Sequence, residues 1–215
     1  MMILSTFDYA PAFAIGFVRD LRVRWALEEA GLPYQVASVP FYERRHFAHQ
    51  PFGQVPFLRD GDYELFESGA ILLHLGKKSE ALLPGSPQAR AQAISWLFAA
   101  LNSVELDSGA WLACQLSQAT DKAAWRDTVT AKLNKRLGVL EPLLQQREWL
   151  AEHFSIADIA MSDVLRVVDH FGDALADYSA CRNYVARAIA RPAFAKALQD
   201  QRAHFAQGAS APAGT

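Results

Sequence analysis

The stretch that most constrains this chain runs Gln54-Val55-Pro56-Phe57-Leu58-Arg59-Asp60-Gly61-Asp62-Tyr63-Glu64-Leu65-Phe66-Glu67-Ser68. Phe57-Leu58 and residues 63–66 are short apolar or aromatic runs, with Asp60-Gly61 between them. Glycine tolerates the positive φ of a primed turn, so the pattern predicts two strands joined as a hairpin. Glu67-Ser68 then opens an apolar run, Ala70-Ile71-Leu72-Leu73, that suits a helix. Ser68 is thereby set at a helix N-terminus, where unpaired backbone N–H groups and the helix dipole attract a carboxylate or phosphate. Pro56 opens the first strand, a position that a strand tolerates and that leaves a backbone group available to a ligand.

The flanking sequence supplies the rest of a sheet. Residues 3–7 read as a strand. Residues 8–17 hold Pro11 and Gly16, which argue for a loop, yet Phe13, Ile15 and Phe17 make it unusually apolar. Such a loop lines a pocket or packs on another part of the chain. Asp20 is placed as the N-cap of a helix over 21–30, stopped by Gly31 and Pro33. Residues 34–39 read as a second strand, and 40–53 as a polar, aromatic connection with room for a short helix. A βαβ unit joined to a ββα unit gives a four-stranded mixed sheet with helices on both faces.

Pro84-Gly85-Ser86-Pro87 marks a linker, and the apolar spacing beyond it is helical. Ile94, Leu97, Leu101 and Val104 form one stripe, with Ser108-Gly109 as a candidate kink; Trp125, Val129, Leu133, Leu137, Leu140 and Leu144 form another, interrupted at Pro142. Ser155-Ile156-Ala157-Asp158 is a capping sequence, with Phe154 and Ile159 placed as a hydrophobic staple. Pro192 suits the first turn of a last helix. The expected division is an α/β domain over 1–77, a linker over 78–87, an all-helical domain over 88–206 and a disordered polar tail over 207–215.

A net charge of −2 gives no electrostatic case for nucleic acid or an anionic membrane. No apolar run is long enough to span a bilayer, and the N-terminus lacks the pattern of a secretory signal. Cys114 and Cys181 lie far apart without a Cys-x-x-Cys pattern, which fits reduced structural thiols and the cytoplasm. His46 and His49 have no ligand pattern to complete a metal site, so no metal is expected.

Three motifs taken together, Gln54-Val55-Pro56, Glu67-Ser68-Gly69-Ala70-Ile71 and Phe154-Ser155-Ile156-Ala157-Asp158-Ile159, resemble the marks of cytosolic glutathione S-transferases. Residues 22–34 are similar to that family's first helix and second strand, Leu82-Leu83-Pro84 to its linker and Arg191-Pro192-Ala193-Phe194 to its last helix. The resemblance implies a thioredoxin-like first domain (βαβαββα) that binds glutathione, followed by an all-α domain. It implies a cis Val55–Pro56 bond, which turns the Val55 amide edges outward to pair with the cysteinyl part of an extended tripeptide. Glu67 would meet the γ-glutamyl ammonium, and Ser68 its carboxylate. Gln54 would lie near the glycine end, with Arg44, Arg45 or His49 salt-bridging the glycine carboxylate. A homodimer, a co-substrate role for glutathione and a part in detoxification follow from the same resemblance.

The implied reaction is conjugation of the glutathione thiolate to an apolar electrophile. The alternatives are glutathione-dependent peroxidase or disulfide reductase chemistry, or a non-catalytic glutathione-binding carrier. A thiol of pKa ~8.5 needs about 2.7 kcal/mol of preferential thiolate stabilisation to drop by ~2 units. The family supplies this from a Tyr, Ser or Cys near the first strand and helix. Here residues 17–20 contain neither Ser nor Cys, and the preceding loop is longer than the family's. The candidates are Tyr9, from the loop base, Arg19, by its charge, and Thr6 or Ser5. Phe13 and Phe17 in the loop, with Asn102 and Glu105 of the second domain, are candidates for the electrophile pocket, as is Trp111.

Overall fold

The computed structural model describes residues 1–41 and 48–208 of the 215. The chain divides into two compact units, Met1–Ser79 together with the last helix, and Glu80–Ala190.

In the first unit, β1 (Met2–Phe7), α1 (Asp20–Glu29), β2 (Tyr34–Val39), β3 (Phe57–Asp60), β4 (Tyr63–Phe66) and α2 (Ser68–Gly76) follow in chain order. The strands form one sheet in the order β2-β1-β3-β4. β1 runs parallel to β2 and antiparallel to β3, which closes with β4 as a hairpin around Gly61 at φ +60°. The short helix expected within 40–53 falls largely on residues outside the described ones.

Alternation along the strands decides which face holds the core. Leu4 and Leu58 pair across β1 and β3 and are fully buried. Asp60, on that face, bonds His74 Nε2 of α2 at 2.8 Å and Lys78 Nζ at 2.8 Å, so α2 lies there too. Val23, Leu27, Ile71, Leu72 and Leu75 of the two helices complete this core.

α1 begins at Asp20 rather than after it, and its N-cap, Arg19, makes no side-chain cap bond. Asp20 is buried and accepts from Arg24 Nε at 2.7 Å and from Gln201 Nε2, so its carboxylate serves tertiary structure instead of the cap. Burial raises its pKa, with Arg24 opposing. The last helix, α8 (Pro192–Gln207), packs on α1. Trp25 meets Phe194 edge-on at 4.8 Å, and Arg191 clasps Glu29 through two bonds of 2.6 and 2.8 Å. These contacts group α8 with the sheet, where the sequence placed it in the helical domain.

The second unit contains α3 (Pro87–Ala99), α4 (Glu105–Leu116), α5 (Ala123–Gln146), α6 (Ile156–Gly172) and α7 (Ser179–Ile189). The first stripe does not kink at Ser108-Gly109; the register changes earlier, in a π turn over Ala100–Val104, and α4 continues through both residues. Pro142 lies inside α5 without ending it, because Leu137, Leu140 and Leu144 keep the helix on the core to either side. Ser155 and Asp158 form the expected capping box on α6, with Phe154 and Ile159 buried beside it. Asp158 also accepts from Leu150 N at 2.9 Å and Tyr184 Oη at 2.8 Å, tying α6 to α7 and to the preceding turn. Glu141 accepts the Ala180 and Cys181 amides at 2.9 and 3.0 Å and so caps α7 from α5. Both cysteines are buried and unbridged, and burial, reinforced by Glu141, pushes the Cys181 thiol up to about 12.

Candidate glutathione site

The site is built on the turn that feeds the hairpin. Gln50, only 2% exposed, takes the Phe52 amide at 2.7 Å and the Gln54 amide at 3.1 Å on its side-chain oxygen, and its carbonyl takes Gly53 N at 3.0 Å. Gly53 has φ +64°, the conformation that closes this turn. The chain then passes through a cis Val55–Pro56 bond into β3.

Across the hairpin, Glu67 has φ +67° and ψ 120°, a backbone shape that a side chain rarely adopts. It delivers Ser68 to the start of α2 without capping that helix. Ser68 is buried and Glu67 exposed. The first-turn N–H groups of α2 therefore face a small polar concavity lined by Gln54, Val55, Pro56, Glu67 and Ser68, with Gln50 behind and Arg19 at its edge. A carboxylate fits there by charge and by donors: an uncapped helix N-terminus and a serine hydroxyl.

The structure thus brings together Gln54, Val55, Pro56, Glu67, Ser68 and Arg19, and adds Gln50, whose only sequence signal was a polar residue ahead of Pro51-Phe52-Gly53. It holds others elsewhere. Thr6 is fully buried on the core face of β1, with an Oγ1 that finds no partner and no solvent, so it does not reach a ligand. Tyr9 is half-buried, edge-on to Phe41 at 5.8 Å. His49 bonds Glu64 at 3.0 Å and stacks on Phe57 at 5.5 Å. His49, Phe57 and Glu64, with Ser5, line a larger cavity of about 300 Å³ on the sheet face opposite the core. That cavity is mostly apolar, and His49 and Glu64 in it bond each other; size alone does not make it the reactive site. Arg44, Arg45 and His46 lie outside the described residues. Phe13 is exposed in a single helical turn over Ala12–Ala14, and Phe17 is half-buried. In the second unit, Asn102 is exposed on the π turn, Glu105 is half-buried at the start of α4, and Trp111 is core. Among the described residues no group of three or more His, Cys, Asp or Glu is arranged to hold a metal, and no helix is long and apolar enough to cross a membrane.

Residues 13–77 match the family model of the glutathione S-transferase N-terminal domain, and residues 103–192 that of its C-terminal domain. The chain belongs to the glutathione S-transferase family. Among its relatives, glutathione S-transferase 1 of Zea mays is 34% identical over 153 residues, covering 64% of this chain and 70% of that one. The disulfide-bond oxidoreductase YfcG of Escherichia coli is 30% identical over 187 residues, covering 80% and 86%. A glutathione transferase from Pseudomonas putida, solved with one glutathione disulfide bound per subunit, superposes with a TM-score of 0.80 at 26% identity over 92% of this chain and 90% of that one. The chain has the family's sheet, hairpin and helical second unit.

Proposed function

We propose that the protein binds glutathione in the concavity at the start of α2 and transfers its thiolate to an apolar electrophile. The observation that carries this reading is the convergence of Glu67, Ser68, the uncapped α2 N-terminus and the Val55–Pro56 edge on one small site. Ser68 and the α2 amides take the γ-glutamyl carboxylate, Glu67 the ammonium, and the Val55 backbone the cysteinyl unit. Gln54 serves the glycine end. Arg19 is the group of positive charge at the site's edge, and we assign it the thiolate stabilisation that the family usually draws from a Tyr, Ser or Cys. The thiolate sulfur then forms a C–S bond, and the leaving group departs with the bonding electrons.

A second reading is disulfide reduction, favoured by the likeness to the disulfide-bond oxidoreductase YfcG and by the glutathione disulfide in the Pseudomonas putida relative. Without a cysteine of its own between residues 7 and 20, the protein would use bound glutathione: its thiolate attacks a mixed disulfide, forming glutathione disulfide and expelling the other thiol. Assays with a haloarene, a hydroperoxide and a glutathionyl mixed disulfide separate the readings; activity on the latter two alone overturns the transferase assignment. Ser68→Ala should weaken glutathione about tenfold, the loss of a hydrogen bond to a charged group. Unaltered affinity by titration calorimetry sinks the site.

We also propose a homodimer in the cytoplasm. Phe52, 65% exposed, meets Phe66 edge-on at 6.4 Å beside the exposed Tyr63 on β4, an aromatic patch that a second copy would cover. Sedimentation equilibrium of the wild type and of Phe52→Ser tests it; a monomeric wild type refutes it.

A further inference from the structure

We propose that Gln201 of α8 is a positioning residue for the thiol end of this site: its side-chain amide fixes the register of the β1–α1 loop and so the place of Arg19. The inference rests on the glutathione reading above.

Arg19 ends a loop in which Ala14 N donates to Pro11 O and Phe17 N to Ala14 O, both at 2.8 Å. One buried side chain ties the Arg19 end of that loop to α8. Gln201 Oε1 accepts the Gly16 amide at 3.0 Å, and Gln201 Nε2 donates to the Val18 carbonyl at 3.0 Å and to Asp20 Oδ1. The three bonds bracket Arg19, two before it and one just after. Only an amide offers an acceptor and two donors at once; Glu lacks the donors and Leu lacks everything. Gln201 is fully buried, so none of these bonds is replaced by water if the side chain is cut.

Neighbouring turns of α8 act in the same sense. Leu198, three residues before, sits so close that a Cβ on Gly16 would lie 3.3 Å from its Cδ1. His204, three residues after, meets the Phe7 carbonyl at 2.8 Å. Beyond the helix, a Cβ on Gly208 would lie 1.8 Å from the Asp8 carbonyl oxygen. One face of α8 thus holds both ends of the loop, and Gln201 sets the end that carries the charge. A shift of about 1 Å in a charged group at a reacting centre is worth up to about 100-fold.

The test is a double-mutant cycle of Gln201→Leu and Arg19→Ala. Glutathione affinity is measured by calorimetry and the bound thiol pKa by thiolate absorbance, below the melting temperature of every variant. Gln201→Leu alone should weaken glutathione about tenfold and raise the thiol pKa towards the free value. In the Arg19→Ala background the same substitution should change both by less than about twofold. Equal effects in the two backgrounds, or none from Gln201→Leu, overturn the proposal. If Gln201→Leu does not fold, Gln201→Glu keeps the size and the Gly16 acceptor while losing both donors, and enters the same cycle. A wild type that does not bind glutathione brings down the site reading and this inference together. Binding that Arg19→Ala weakens and Gln201→Leu leaves untouched brings down this inference alone.

Discussion

Replacing Glu67 with glycine should make the protein more stable and a poorer glutathione binder at once. Glu67 sits at φ +67° and ψ 120°, where a Cβ crowds the flanking backbone. Such strain costs on the order of 1–3 kcal/mol in a residue with a side chain. Glycine relieves it but adds about 0.5–1 kcal/mol of chain entropy to the unfolded state. The net gain is about 1 kcal/mol, or roughly 2–4 °C in melting temperature for a chain of this size. The same change deletes the carboxylate assigned to the γ-glutamyl ammonium. A charge-assisted hydrogen bond of about 1.5–3 kcal/mol corresponds to roughly 10–150-fold in Kd. Glu67→Ala separates the two effects, since it loses the carboxylate and keeps the Cβ. Both variants should bind glutathione equally weakly by calorimetry, while only the glycine variant melts above the wild type. Identical melting temperatures for the Gly and Ala variants would refute the strain argument. Wild-type affinity in either would refute the role given to the carboxylate.

Three further outcomes follow from the packing and the charges. Asp158→Ala strips the α6 capping box and leaves the Leu150 amide and Tyr184 hydroxyl buried without an acceptor, which should cost about 3–5 kcal/mol in denaturant unfolding; a loss below about 1 kcal/mol contradicts this. Gly172→Ala would put a Cβ 2.6 Å from Trp111 Cη2, an overpacking of about 1–3 kcal/mol that should lower the melting temperature, and an unchanged one means the helices have slack there. Hydrogen bonds from Lys78 and His74 hold Asp60 below the ordinary carboxylate range, so its stabilisation is complete above about pH 4 and is lost as pH falls through the folded value. Asp60→Asn should therefore flatten the acid limb of the stability profile; a limb as steep as the wild type's would exclude Asp60 as a contributor.

Sequence alone determined what local chemistry governs. The hairpin at Asp60-Gly61, the start of α2 at Ser68 and the Ser155–Asp158 cap each depend on residues within a few positions of one another, and each stands where the pattern put it. Gln54, Val55, Pro56, Glu67 and Ser68 share one concavity for the same local reason: a short hairpin brings both of its ends together by itself. Tertiary structure decided the rest. Asp20 looks like a cap in isolation, yet its carboxylate is taken by Arg24 and by Gln201, a residue 181 positions away. Thr6 and Ser5 are adjacent polar residues in one strand, and only the packing of α2 on one face says that Thr6 is sealed in the core while Ser5 lines the opposite cavity. α8 reads as one more amphipathic helix, and only its contacts with Trp25, Glu29 and the β1–α1 loop assign it to the sheet. Local hydrogen bonding is written in neighbouring residues, whereas the partner of a buried amide or carboxylate is chosen by which distant surface the chain folds against it.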